Sequence, residues 1–375
     1  KRLCLFYQWM MITKPKHLYL HVPFCRTICS YCDFCHVGYQ ETVANQWLEA
    51  INADIQNRHI NENLRTIYIG GGTPTALSSS QLDQLLCLLD PYAHMVQEYT
   101  IEINPETFDE DKAKILQKHG VNRASIGFQT SDEKLLQMMN RHHRLEDVAK
   151  TMRLLRKYGI DNISLDLMYS LPTQTMESLK KSLQDAIALE PTHLSLYSLT
   201  IEPNTVFAKK GYEHLDDDIE ADMYEWICKI LPKYGFVQYE ISNFAKAGMI
   251  SQHNCAYWNY QDFYGIGCGA SGLEGSTRYD IPKNVRKYIE DSSIKDTIDL
   301  SLQEQMFEAV MMGLRLKEGM NIQFFEERFH TSVLEVYRTQ INKLLNEGKL
   351  ILEKNRLRCS EKGFEILNSI LLEFM

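Results

Sequence analysis

Short runs dominated by apolar or β-branched residues recur through the first two-thirds of the chain, at His17–Pro23, Thr66–Gly72, Tyr99–Asn104, Arg123–Gln129, Asn162–Tyr169 and His193–Ile201. Each is short, flanked by turn residues, and reads as a strand. Between them, apolar positions return at helical spacing over 42–58, 78–89, 110–119, 145–158 and 176–189, with 218–234 after the sixth strand. Strands that alternate with helices pair in parallel through right-handed crossovers. Polar residues gather at the C-terminal ends of these strands, where an α/β barrel keeps its chemistry. The pattern therefore predicts an α/β fold in which residues 17–235 form a partial (β/α)6 barrel, preceded by an extension over 1–16. An open doubly wound sheet fits the same periodicity and stays as the alternative.

Beyond residue 235 the alternation stops. A connecting region, 236–300, is rich in Gly, Asn and Tyr, and a helical tail over 301–375 follows. Helix-like runs cover 302–316, 321–329 and 333–346; a hairpin is expected from Lys349–Glu353 and Arg356–Cys359 around Lys354-Asn355, then a last helix at 361–373. Three helices and a hairpin read as a small winged-helix-like domain. Such domains often bind DNA, but the chain carries 49 Asp and Glu against 40 Lys and Arg, a formal charge of −9, and no helix here is rich in Arg or Lys. Displacing counterions from a phosphate backbone needs a basic surface. The expectation is packing or docking, with no nucleic acid as partner.

Ten cysteines could suggest disulfides, yet Cys25, Cys29, Cys32 and Cys35 fall within eleven residues and the others are scattered singly. One local metal site in a reducing compartment fits that distribution better than an extracellular scaffold. The start, Lys1 to Phe6, lacks a long apolar stretch and a small-residue cleavage site, and no run of 18 apolar residues occurs. Residues 1–10 are read as an extension, since Met11 could itself be a start. The expected location is cytoplasmic.

The candidate chemistry begins at Cys25-Arg26-Thr27-Ile28-Cys29-Ser30-Tyr31-Cys32. Thiolates are soft ligands suited to iron–sulfur clusters and to zinc. Structural zinc wants four protein ligands, usually as two separated pairs, and no second C-x2-C pair is present. Three close cysteines can hold three corners of a cubane and leave one iron open to a ligand. Zinc with Cys35 or His36 as fourth ligand, or reactive thiols without metal, are the competing readings. One strand later comes Gly70-Gly71-Gly72-Thr73-Pro74, a turn whose backbone N–H groups can approach a ligand closely.

The C-x3-C-x2-C spacing, the aromatic Tyr31 before the third cysteine and the glycine turn together resemble the radical S-adenosylmethionine (SAM) superfamily. The order of Tyr19-Leu20-His21-Val22-Pro23-Phe24-Cys25, Gly70 to Thr75, Glu102-Ile103-Asn104-Pro105-Glu106, Ile126-Gly127-Phe128-Gln129 and Asp166-Leu167-Met168-Tyr169-Ser170-Leu171-Pro172 is similar to the HemN/HemW family, from about residue 17 nearly to the C-terminus. That resemblance implies a 4Fe–4S cluster on Cys25, Cys29 and Cys32 and SAM on its open iron, reductively cleaved to a 5′-deoxyadenosyl radical. It places Tyr19 by the cluster, Tyr31 against the adenine, and Gly71, Gly72 and Thr73 along the methionine part. Glu102 accepts a hydrogen bond from the ligand, Gln129 and Arg141 contact it, and Asp166 suits the ribose hydroxyls. The plainer reading of each acid is a helix cap or half an ion pair, and of Arg141 a solvated helix-end residue.

Within the family, the oxygen-independent coproporphyrinogen III dehydrogenases carry a further cysteine two residues after the third, and a long segment before the first strand. Here Asp33-Phe34 follows Cys32, Cys35 sits one position late and is read as a non-ligand, and 16 residues precede His17. His253-Asn254-Cys255-Ala256-Tyr257-Trp258 matches the H-N-x-x-Y-W signature of the haem chaperone branch. The resemblance thus implies a transiently bound haem with His253 as axial ligand, passed to haem-requiring membrane proteins such as respiratory enzymes, with membrane contact through such a partner. Its alternatives are a His253 that braces its loop and an enzyme that decarboxylates coproporphyrinogen III. Gly265 to Gly272 resembles the chaperones' glycine-rich segment but has Cys268 and Ser271 where relatives often have Ala and His; Cys268 reads as a small buried residue or a thiolate ligand.

Overall fold

A strand buried on both faces needs apolar residues in succession, and the six predicted runs supply them. In the computed structural model, which describes residues 14–375, they form β1 (His17–Val22), β2 (Thr66–Gly71), β3 (Glu98–Ile103), β4 (Arg123–Gln129), β5 (Asn162–Tyr169) and β6 (His193–Ser198). Each pairs in parallel with the next, from His17 opposite Thr66 to Tyr169 opposite Ser198. The crossover helices are α1 (Glu41–Asn57), α2 (Ser79–Leu89), α3 (Glu110–Lys118), α4 (Leu145–Lys157) and α5 (Met176–Ala188), with α6 (Asp217–Ile230) after β6. Leu18, Leu20, Ile67, Ile69, Ile101, Ile126, Leu165 and Leu194 are buried in one core with the inner faces of these helices. The expectation for residues 1–13 lies outside the described residues.

The connecting region does more than connect. Its short strands join the barrel sheet at both edges: β7 (Val237–Gln238) and β8 (Asn243–Ala245) lie antiparallel beside β6, while β9 (Phe263–Ile266) runs parallel to β1. β10 (Ser271–Glu274), β11 (Thr277–Asp280) and β12 (Asp296–Asp299) continue outward as a meander, giving twelve strands in the order β12-β11-β10-β9-β1-β2-β3-β4-β5-β6-β8-β7. Strands of two to four residues are too short to show a period, so their pairing was not legible in the sequence. Between β8 and β9 sits α7 (Gln252–Trp258), which carries the H-N-x-x-Y-W motif.

The tail builds a second core around Val310, Phe325, Phe329, Ile341, Leu344 and Leu357. It contains α8 (Leu302–Gly313), α9 (Ile322–Phe329), α10 (Arg338–Asn346) and the hairpin β13 (Leu350–Glu353) and β14 (Arg356–Cys359). Lys354 and Asn355 both take positive φ, 49° and 63°, as a tight two-residue hairpin turn requires. The expected helix over 333–346 is broken at Tyr337 and the last one at Ile366, where ψ moves to 32° and 28°. Two ion pairs link this unit to the sheet: Arg278 grips Glu308 with both terminal nitrogens, at 2.7 and 2.8 Å, and Arg328 meets Asp262 at 2.8 Å. Among the described residues, no helix is long and apolar enough to cross a membrane.

Candidate functional site

The loop after β1 is held at both ends. Phe24–Cys25 pairs with Val37–Gly38, and the Phe24 ring meets Trp47 of α1 edge to face at 5.5 Å. Between these anchors, Cys25, Cys29 and Cys32 line one cavity of about 580 Å³ at the C-terminal end of the barrel strands. Polar groups approach each sulfur: Thr73 Oγ1 lies 3.6 Å from Cys25, Arg141 Nη1 donates to Cys29 at 3.7 Å, and His36 Nδ1 lies 3.6 Å from Cys32. Burial pushes the Cys25 thiol up to about 11 and that of Cys32 up to about 12. Bare thiols here stay protonated, and a strongly cationic metal centre is the partner that holds them as thiolates. Three convergent sulfurs beside open space fit a cluster with one free corner. Cys35 does not line the cavity; it is buried, on the side of Cys268.

The glycine turn is required by its neighbours. A Cβ on Gly70 would fall 2.7 Å from the Glu102 carboxylate, and one on Gly72 would lie 3.0 Å from the backbone of Pro23 and Phe24. Gly71 has φ +112°, and its N–H donates to Glu102 Oε2 at 3.0 Å while the Tyr68 hydroxyl donates to Oε1 at 2.9 Å. The turn therefore clears room for Glu102 and orients it. Burial first, and then the nearby Asp166, pushes the Glu102 carboxyl up to about 7. Burial also raises Asp166, whose two oxygens both accept from Ser125 Oγ at 3.0 Å. A bulge between Gly127 and Gln129 ends β4; Gln129 takes φ +61°, and Gly127 makes space for the Arg141 guanidinium.

Eleven residues singled out in the sequence thus line one cavity: the three cysteines with Tyr31, Gly71, Gly72, Thr73, Glu102, Gln129, Arg141 and Asp166. Tyr19 and His253 are not among them. The Tyr19 hydroxyl bonds to His21 Nδ1 at 3.0 Å, and its ring faces that of Tyr68 at 6.1 Å. His253 belongs to the opposite end of the barrel, where α7 caps the first residues of the strands. The backbone N–H groups of Gln252 and His253 each donate to Glu98 at 2.8 Å. The His253 ring is engaged at both nitrogens, by Thr66 Oγ1 at 2.7 Å and by the Tyr257 hydroxyl at 2.7 Å, and is 1% exposed. In this arrangement it braces the helix; Asn254, its neighbour, reaches the cavity.

Sequence reasoning missed several lining residues. Tyr68, Ser125, Ser195 and Tyr197 all face the cavity. A signal existed, since polar or small residues at alternate positions of otherwise apolar strands (Ser125 and Gly127, Ser164 and Asp166, Ser195 and Tyr197) mark the inward face of a barrel.

Comparison with known proteins places this geometry. Residues 19–186 match the Radical SAM superfamily and residues 300–366 the HemN C-terminal domain. The chain is 38% identical over 374 residues to the "Heme chaperone HemW" of Lactococcus lactis, covering 97% of this chain and 98% of that one. It is 36% identical to the protein of the same name in Bacillus subtilis, covering 96% and 99%, and 34% identical to that of Escherichia coli, covering 98% and 100%. Coproporphyrinogen III oxidase (HemN) from Escherichia coli, a radical SAM enzyme, superposes with a TM-score of 0.83 over 100% of this chain and 93% of that one; at 21% identity this shows the shared fold. With such identity along nearly its whole length and a cavity that gathers the superfamily's three cysteines, the chain belongs to the HemW family of radical SAM proteins.

Proposed function

We infer that the protein is a haem chaperone of the HemW type, which accepts haem in the cytoplasm and delivers it to haem-requiring membrane proteins such as respiratory enzymes. The observation that carries this reading is the full-length identity to proteins of that name. Cys25, Cys29 and Cys32 hold the 4Fe–4S cluster, and the cavity beside them receives SAM; when bound, these groups supply one-electron chemistry. Tyr31, Gly72 and Thr73 flank the ligand, Gln129 and Arg141 contact it, and Asp166 faces its ribose hydroxyls. The residue two places after Cys32 is Phe34 rather than the extra cysteine of the dehydrogenases, which supports the chaperone over the enzyme.

An anaerobic haem titration of the cluster-reconstituted protein tests the reading. Saturable binding with a distinct Soret band is expected. Binding no stronger than to a non-specific control protein removes the chaperone assignment, and turnover of coproporphyrinogen III to protoporphyrinogen IX replaces it with the enzyme.

Glu102 offers a second test, of the SAM site. Because its carboxyl rises from 4.5 to about 7 on folding, it favours the fold least when ionised. The contribution of this carboxyl to stability is therefore fullest below pH 4.5 and declines as pH rises toward 7, a cost of about 3 kcal/mol at neutral pH. Glu102→Gln should raise the melting temperature of the SAM-free protein at pH 8 relative to wild type and leave little difference at pH 4.5. The same change should weaken SAM binding by about 10–100-fold, the scale of a lost charge-assisted hydrogen bond. Unchanged SAM affinity would remove Glu102 from the site.

A further inference from the structure

An axial haem ligand needs an accessible imidazole nitrogen with a free lone pair; the histidines on the barrel strands and on α7 do not offer one, and the unpartnered Nδ1 of His143 is buried. Both ring nitrogens are engaged in His17 (Thr66 and Gln261), His21 (Tyr19 and the Cys35 carbonyl), His193 (Ser164 and Tyr239) and His253. Freeing His253 would also mean pulling α7 away from Glu98 and Thr66 at the closed end of the barrel.

His36 differs in each respect. Among the described residues it is the one histidine that lines the cavity, half-buried on the cluster loop. Its Nδ1 lies 2.7 Å from the Phe34 carbonyl oxygen. A carbonyl can only accept, so Nδ1 carries the proton and Nε2 keeps its lone pair. An N–H tied to a backbone carbonyl is also the usual way a metal-binding histidine is oriented. Around it, two apolar side chains stand uncovered at the mouth, Phe34 at 67% exposure and Ile28 at 41%. Lys283 lines the same rim as its cation, its ammonium donating to the Asp33 carbonyl oxygen at 3.4 Å with the Asp33 carboxylate 3.7 Å away.

We propose that haem binds at the mouth of the cluster cavity, with His36 Nε2 as axial ligand, the porphyrin face against Phe34 and Ile28, and Lys283 beside a propionate. This rests on the haem-binding reading above and names its site. It places the cargo beside the cluster loop, on the open side of the barrel, where it can enter and leave without unpacking the core.

The test compares haem spectra of the cluster-reconstituted protein and its variants, with iron and sulfide content measured on each. His36→Gly should shift or abolish the Soret band of wild type, and added imidazole should restore it by filling the vacated ligand position. Phe34→Ala should keep the band position and weaken binding about ten-fold or more, the scale of an aromatic ring no longer buried. His253→Ala should leave the band position unchanged. A wild-type spectrum from His36→Gly, or one that imidazole does not restore, overturns the proposal. So does a shift in His253→Ala with full cluster content. If His36→Gly loses its cluster, the Phe34 and His253 variants decide by the same criteria. Absence of haem binding by the wild type is a separate outcome, which removes the chaperone reading itself.

Discussion

Replacing any one of Cys25, Cys29 or Cys32 by Ala is expected to abolish the reconstituted iron–sulfur absorbance, while Cys35→Ala leaves it largely intact. The asymmetry follows from where the sulfurs sit. The first three line the cavity, and Thr73, Arg141 and His36 stand against them as hydrogen-bond partners. Cys35 is only three residues beyond Cys32, yet its side chain is 6% exposed and turned toward Cys268. Losing one of three protein ligands leaves two sulfurs for a cubane that needs at least three fixed corners, so the effect is all or none rather than graded. Anaerobic reconstitution followed by the charge-transfer absorbance and iron content measures it. Cluster loss in Cys35→Ala, or a cluster retained in one of the other three, would mean the ligand set is wrong.

The second large effect is on stability. Trp47 of α1 is fully buried, and its ring stands at 90° to that of Phe24, the residue before the first cluster cysteine. Truncation to Ala removes the largest fully buried side chain of the core and leaves a cavity that the barrel wall cannot close, which costs about 3–5 kcal/mol. Because Phe24 anchors the cluster loop, Trp47→Ala should also slow or reduce cluster incorporation. Chemical denaturation of the cluster-free protein gives the first number, and reconstitution yield the second. A loss under about 1 kcal/mol would show that Trp47 contributes little packing energy.

Much of the barrel was legible before any tertiary information. Runs such as Asn162–Tyr169 are short and alternate Ser164 and Asp166 with apolar residues, whereas the longer helices between them carry one apolar stripe, so length and period together separate strand from helix. The observed bounds of β4 and β5 equal the expected ones, and α1 to α5 begin and end within a residue or so of theirs. The sheet's outer strands were hidden because two to four residues cannot display a period, and because β9 pairs with β1 from more than two hundred residues away. Breaks such as that at Tyr337 depend on a single backbone angle, which a helical apolar pattern does not encode.

The site divides along the same line. Residue type and spacing determined what chemistry is present: three thiols within eight residues, a glycine turn one strand on, and acids at the ends of β3 and within β5. Those features are local, because a loop that must hold metal or make room for a carboxylate shows its need in adjacent positions. Only the tertiary structure decided which side of each residue faces what. It turned Cys35 away from Cys32 and onto Cys268, used the glycines to seat Glu102, and left His36 at the cavity with one nitrogen free. It also set the H-N-x-x-Y-W helix against Glu98 and Thr66 at the far end of the barrel. Direction and partner are products of packing between segments distant in the chain, and no stretch of sequence contains them.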